Sequence, residues 1–406
     1  MGLLARGSKK LKFILSVRHK WARVMSFEDY SQREVSGFHY HKIESNRRTR
    51  VCPVQYLGEK EVEPFETHLP DTYWAELTDA SIIGASSVVI SKDGIMLYDM
   101  LAHRHQYKAN MTDNGLCLIG GSPKHIGDYY IYNYLPNGTL EIPTAISLAC
   151  NMSNNYYHFM LQVASRFYLL SKVEINQTVP LVLDEQVMKI PQMKEVVEAL
   201  NIDNRKIILI KKNQLLKVNT LYVISEPNVI VPNSFARGER RTENFAFDKN
   251  ALDYLKYTLM KRIPSCDDIY PKRAFLSRKG CSKRRCNEEE LEPVLSKFGF
   301  ESLQTGNLTI AQQIALFSNV EHVIGGSGAA FTNLLFCNEG AKATLFISGP
   351  YNVTCFSSLA IVNHVKTYFA YDSNSNEEIH QKLFRISPET IYTHLKSIYG
   401  DEHSNA

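Results

Sequence analysis

The spacing of apolar positions changes along the chain. Residues 1 to about 27 place Leu11, Ile14, Leu15, Trp21, Ala22 and Met25 at helical intervals, with Lys12, Ser16, Lys20 and Arg23 on the other side. That pattern predicts a basic amphipathic helix, suited to an anionic membrane surface or to docking on the body of the protein. Residues 28–70 are polar and irregular, with Arg47, Arg48 and Arg50 close together. From Thr72 to Ile146 the chain turns β-rich. Segments 81–90 and 95–98 flank Lys92-Asp93-Gly94, which predicts a hairpin.

Beyond residue 146, short apolar runs alternate with segments of helical period. Helices are expected over 155–170, 187–200, 247–261, 288–297, 310–318, 329–336, 357–363 and 388–398, with Asp248 placed to cap the third. Strands are expected over 179–183, 206–210, 218–224, 273–277, 300–303, 322–324, 343–347 and 367–371. Such alternation predicts an α/β fold, with parallel sheet covered on both faces. The polar, proline-containing stretch 226–242 reads as a linker. The expected division is a basic segment 1–50, an N-terminal lobe 51–240 and a C-terminal lobe 241–406.

Composition narrows the function classes. The chain has 406 residues, 44% hydrophobic and 22% charged, which supplies two cores and excludes disorder as the main description. The net charge of +4 is unevenly placed: residues 1–50 carry 12 Lys/Arg against 4 Asp/Glu, and the remainder is slightly acidic. That modest charge does not by itself imply nucleic acid, and no nucleic-acid partner is expected. No apolar run is long enough to span a membrane. The run 13–17 is too short for a secretory signal and is followed by Arg18, His19 and Lys20. Eight cysteines form no CxxC pair, and Cys281 and Cys286 lack the further ligands of a zinc site, which predicts reduced, mostly buried thiols in the cytoplasm. Six N-x-S/T sequons, at Asn110, Asn137, Asn151, Asn176, Asn307 and Asn352, are set aside in the absence of that signal.

Three segments carry candidate chemistry. Ile324-Gly325-Gly326-Ser327-Gly328-Ala329-Ala330 follows an expected strand and opens an expected helix. It is either an anion-binding loop or a plain tight turn. Phe275-Leu276-Ser277-Arg278-Lys279-Gly280 also leaves a strand end, and Lys283, Arg284 and Arg285 bring the cations to five in eight residues. Arginine there suits bidentate phosphate contacts. Asn155-Tyr156-Tyr157-His158-Phe159 puts a histidine in the first turn of a helix, where it is either a general base or a packed side chain. There is no Asp-x-Asp, and Asp267-Asp268 lies in a polar loop, so no metal site is expected. A bound diphosphate would be neutralised by cations and backbone amides.

Together these segments resemble glycosyltransferase family 61. The resemblance starts near Leu69 with Leu-Pro-Asp-Thr-Tyr-Trp-Ala-Glu-Leu-Thr-Asp-Ala and continues through the hairpin at 95–99. It then takes in Asn-Tyr-Tyr-His-Phe at 155–159, Ser-Arg-Lys at 277–279, Asn-Glu-Glu-Glu-Leu at 287–291 and Ile-Gly-Gly-Ser-Gly-Ala-Ala-Phe-Thr-Asn-Leu-Leu-Phe at 324–336. The resemblance implies a GT-B-like architecture of two Rossmann-like lobes, here with a β-rich N-terminal portion. It implies inverting, metal-independent transfer from a nucleotide-sugar, used as co-substrate without a cofactor, to a glycan or lipid-linked glycan such as a capsular polysaccharide precursor. Ser277, Arg278, Lys279 and Arg284, with the amides of Gly326, Ser327, Gly328 and Ala329, would hold the donor. Ser327 and Asn333 would contact it with their side chains, and His158 would be the base or orienting group. The sequence departs from the family pattern three times: Gln162 replaces an aspartate, Ser327 a histidine and Leu345 a glutamate. Gln162 can position a hydroxyl but cannot take its proton. The alternatives are a catalytically weak member that binds nucleotide or glycan as a partner subunit and, last, a eukaryotic Golgi enzyme that uses the sequons.

Overall fold

A computed structural model describes residues 20–103, 125–126, 129–132, 137–231, 241–282, 284–349, 353–371 and 383–400. Residues 1–19 of the expected basic helix, 232–240 of the expected linker, Lys283, Cys117 and the sequons at Asn110 and Asn352 lie outside the described residues.

The C-terminal half is a five-stranded sheet in the order Glu301–Leu303, Arg273–Leu276, His322–Gly326, Lys342–Ile347, Lys366–Tyr371, all parallel. The period of two explains its two faces. Phe275, Ile324, Phe346 and Ala370 point to one side and pack with Leu291 and Leu295 of the helix Glu288–Lys297 and Ile391 and Leu395 of the helix Pro388–Tyr399. Their neighbours Ala274, Val323, Ala343, Leu345 and Phe369 point the other way, into the cluster built by Ile310–Asn319, Ala329–Phe336 and Thr354–Val362. Leu345, where the resemblance suggests a glutamate, is fully buried in this core.

The N-terminal half is a mixed eleven-stranded sheet. Ile207–Ile210, Leu181–Asp184, Thr139–Ser147 and Leu215–Ile224 run parallel, and the long strand Thr72–Ile83 pairs antiparallel with the last of them. The expected hairpin is present as Val89–Ile90 against Met96–Leu97, with Gly94 at φ +78°. The helical stretch 156–170 lies between the two sheets, and its apolar residues join one continuous cluster with Leu334, Leu335 and Leu359 from the C-terminal half.

Two expectations are corrected. Lys20–Met25 is a strand, not the end of a helix: it pairs antiparallel with Tyr129–Tyr132 and parallel with Met96–Leu97, burying Ala22 and Val24 on alternate positions. Strand pairing overrides the helical spacing there. The stretch 28–70 is not irregular. Phe38–Glu44 extends the N-terminal sheet, and Arg48–Val51 pairs with Phe65–His68. Just beyond, Leu57 N–H donates to the Phe369 carbonyl and Phe369 N–H to that of Gln55, so this part of the chain is stitched to the C-terminal sheet edge. Part of the expected linker is buried strand: Val229–Ile230, inside 226–242, pairs with Phe245–Ala246 just beyond it. Asp248 caps its helix as expected, accepting from Ala251 N–H at 2.7 Å. The seven described cysteines are free thiols, five of them buried.

One buried cluster makes the fold acid-sensitive. His322 bonds Tyr399 Oη through Nδ1 (3.0 Å) and Thr344 Oγ1 through Nε2 (2.8 Å), and His394 Nε2 meets the same hydroxyl at 3.2 Å. Burial pushes His394 down to about 4. Burial also holds His322 well below the usual imidazole range, with His394, Lys342 and Arg273 adding to the shift. In the unfolded chain both take protons near pH 6.5. The unfolded state therefore binds more protons as pH falls below 6.5, so stability is full above that value and declines below it. For His394 the loss between pH 7 and 5 is roughly 2 kcal/mol, and His322 adds in the same direction. Urea unfolding across this window, above most carboxylate titration, checks it; His394→Gln is expected to flatten the slope.

Candidate active site

The strand Arg273–Leu276 ends at a turn held by one carboxylate. Glu288, buried in the first turn of its helix, accepts from Ser277 Oγ at 2.6 Å and from Arg278 N–H at 2.7 Å. This turn sends the Arg278 side chain across the end of the neighbouring strand His322–Gly326. A Cβ placed on Gly326 would come 2.8 Å from Arg278 Cδ and 3.1 Å from the Arg284 carbonyl oxygen, and one placed on Gly328 would come 2.5 Å from an Arg278 guanidinium nitrogen. Gly325 has φ +158°, and a Cβ there would meet the Leu276 carbonyl oxygen at 2.8 Å. Arg284 closes the arrangement, donating to the Ser327 carbonyl at 3.3 Å.

These groups line one cleft of about 810 Å³, which is within the range of ligand pockets. Ser277, Arg278, Lys279, Arg284, Gly326, Gly328 and Ala329 all border it, together with Asn155 from the facing helix. The cleft opens at the carboxyl ends of parallel strands, where open α/β sheets bind ligands.

The remaining expected donor residues are elsewhere. Ser327 is buried, and its N–H is committed to the Phe346 carbonyl at 2.8 Å, so neither its side chain nor its amide faces the cleft. Asn333 is fully buried: Oδ1 accepts from Tyr156 Oη at 2.7 Å and Nδ2 donates to Gln313 Oε1 at 2.6 Å. It ties the His158 helix to the 3-10 helix Ala329–Phe336 rather than meeting a ligand. Lys279 stands exposed at the rim, ion-paired with Glu292 at 2.8 Å. The glycines also do something the sequence reading missed. They make room for Arg278 over the strand end, besides bringing backbone near a ligand.

On the facing wall, Asn155 caps the helical stretch by accepting from Tyr157 N–H at 3.0 Å. After Tyr156–His158 the helix widens into a π-helical segment, Phe159–Ala164, before Arg166–Leu170 resumes the α form. Such segments are frequent at functional sites. His158 and Gln162 are brought together, Nδ1 to Oε1 at 2.6 Å. Gln162 Nε2 in turn donates to Glu226 Oε2 at 2.8 Å, and Arg166 donates to Glu226 Oε1 at 2.8 Å. Burial lowers the pKa of His158 below the imidazole norm, and the bond to Gln162 and the Glu226 charge pull it partly back. His158 is therefore neutral at pH 7.

Glu226 and Arg166 also line a second cavity of about 240 Å³, with Tyr40, Tyr73, Tyr98 and Asp99. Asp99 accepts from Tyr73 Oη at 2.5 Å and from Phe27 N–H at 2.9 Å, and burial raises its pKa. Sequence reasoning missed Glu226, Arg166, Asp99 and Glu288. Glu288 and Asp99 lay inside quoted motifs without being given a role, and the signal for Glu226 was its position two residues beyond an apolar strand, at the carboxyl end where ligands bind.

No curated protein matches the chain. The family model for glycosyltransferase 61 matches residues 156–344, from the first residue of the His158 helix through the arginine-lined cleft to the strand beside it. With the motif histidine, the Ser-Arg-Lys turn and the glycine loop all inside that match, residues 156–344 are a glycosyltransferase family 61 region.

Proposed function

We propose that this glycosyltransferase is an inverting, metal-independent enzyme of GT-B-like build that transfers a sugar from a nucleotide-sugar to a glycan acceptor, in capsular or other surface polysaccharide synthesis. The observation that carries the reading is the convergence of Arg278 and Arg284 on the Gly326–Gly328 loop, in a cleft whose opposite wall begins three residues before His158. Two guanidinium groups suit a diphosphate and the charge that grows on it as it leaves. In this reading the two arginines take the charge-neutralising role that a divalent cation would otherwise fill.

In the proposed step His158 Nε2 accepts the proton of an acceptor hydroxyl while its oxygen bonds to the anomeric carbon. The bond from that carbon to the diphosphate breaks, and its electrons leave with the phosphate. The tyrosine- and carboxylate-lined cavity beside Glu226 suits the hydroxyls of a neutral sugar and is the proposed acceptor site. Action at the cytoplasmic face of the membrane, with the basic residues 1–19 near a lipid-linked acceptor, belongs to the same proposal. No helix among the described residues is long and apolar enough to cross a membrane.

Turnover of a panel of UDP-, GDP-, dTDP- and CMP-sugars with extracted glycolipid acceptors tests the reading. Nucleotide release from one donor that survives EDTA is expected. Release that appears only with added Mg²⁺ or Mn²⁺ would sink the metal-independent mechanism.

A further inference from the structure

Gln162 stands four residues after His158, where the resemblance places an aspartate. The loss is of charge, since a glutamine in place of a carboxylate has an ambiguous end: its oxygen accepts and its nitrogen donates. Which end faces His158 decides which imidazole nitrogen carries the proton. That choice is made by the next residue in the chain of contacts. Glu226 offers only acceptor atoms, and Arg166, buried against it, offers only donors. Arg166 therefore takes one oxygen of Glu226, and the other oxygen takes the Gln162 amide N–H at 2.8 Å. The Gln162 oxygen is then left for His158 Nδ1, at 2.6 Å. Each contact has one compatible polarity, and the sequence runs Arg166, Glu226, Gln162, His158.

We infer that Glu226 is the positioning carboxylate of the active site, acting on His158 through Gln162 to hold the proton on Nδ1 and the lone pair on Nε2. This rests on the reading of His158 as the base. The carboxylate lost at position 162 is thereby supplied from the end of the strand Leu215–Ile224, one hydrogen bond further away. The charged groups facing His158 through these contacts are Glu226 and, behind it, Arg166. The ring itself otherwise packs edge-on against Tyr157.

Two isosteric variants follow from the polarity argument. In Glu226→Gln, the new amide must turn its oxygen to Arg166 and its nitrogen to Gln162. Gln162 then has to flip, presenting its own nitrogen to His158 Nδ1, and the proton moves to Nε2. In the exchange variant Gln162→Glu/Glu226→Gln every contact has a compatible partner again. The new glutamate accepts from both the His158 Nδ1–H and the new glutamine, whose oxygen keeps Arg166.

The test is the tautomer of His158 in the full chain labelled with ¹⁵N-histidine, read from the ring-nitrogen shifts at pH 7.5. The chain has 13 histidines, so the resonance is assigned as the one missing in His158→Asn. The expected result is an Nδ1–H tautomer in wild type, inversion to Nε2–H in Glu226→Gln and return in the exchange variant. Turnover of the panel's best sugar nucleotide is expected to fall by about 10²–10⁴-fold in Glu226→Gln and to recover at least tenfold in the exchange variant. An Nε2–H tautomer in wild type overturns the inference without any variant. So does a tautomer that Glu226→Gln leaves unchanged, or an exchange variant that melts like wild type yet stays as inactive as the single one. If the tautomers behave as stated and wild type releases nucleotide from no donor, the transferase mechanism fails and the relay stands.

Discussion

Arg278→Ala is expected to lower kcat/KM for the sugar nucleotide by about 10²- to 10³-fold, the scale seen when one preorganised donor to a developing oxyanion is removed. The effect is large because this guanidinium is held in place before any ligand arrives. Its backbone N–H is fixed by the buried Glu288, and its side chain lies over Gly326 and Gly328, which have no Cβ to displace it. Half-buried placement removes part of the water that would screen the interaction. Most of the loss should appear in kcat if the charge on the leaving diphosphate is what Arg278 meets, and in nucleotide affinity if the ground-state phosphate is. Arg278→Lys keeps the charge but loses the planar fork, so it recovers only part of the activity. Lys279→Ala provides the contrast, since that ammonium is exposed and already paired with Glu292; a loss within about tenfold is expected of a rim charge. Calorimetric titration with the free nucleoside diphosphate separates the cases. An Arg278→Ala protein that binds nucleotide and turns over donor as wild type does would remove the diphosphate from this cleft.

The C-terminal half was legible almost strand by strand because its pattern has one cause. Buried parallel strands need apolar residues on both faces, so Phe275, Ile324 and Phe346 stand out whichever way they point. The strand Phe38–Glu44 lacks that signal: His39, His41, Lys42 and Glu44 interrupt its apolar residues, and it is held by pairing with the edge of Thr72–Ile83. The Arg278 turn and the His158 helix were legible as motifs, since charge at a strand end and polar residues at a helix start are unusual in a core. Asn333 was misplaced for a related reason. A polar residue inside a motif invites a ligand role, yet its two amide ends are matched by Tyr156 and Gln313, which lie far from it in sequence. Glu226 shows the converse. Its partners come from the helix sixty residues earlier, and only the fold brings that carboxylate to Gln162.

Removing the imidazole with His158→Ala is expected to cost about 10²–10⁴-fold in kcat, the usual span for a general base, with nucleotide binding unchanged. The split follows from position. Asn155, not His158, borders the arginine-lined cleft, so the donor loses no contact, and the Asn155 cap that starts the helix does not involve the ring. The pH profile adds an independent check. Only the neutral imidazole accepts a proton, so the rate is full above the pKa of His158 and falls as pH drops through it. Burial places that pKa below the usual 6.5, against the opposing pull of Gln162 and Glu226. The acid limb of kcat/KM therefore has its midpoint below pH 6.5, and the rate is expected to level off toward pH 8. Glu226→Gln removes a charge that raises the pKa, so any residual activity in that variant should carry its acid limb to still lower pH. In His158→Ala the limb disappears and the remaining rate becomes flat or depends on hydroxide. A His158→Ala enzyme that keeps the wild-type acid limb would place the base on another residue, and the carboxylates of the Glu226 cavity would be the next to replace.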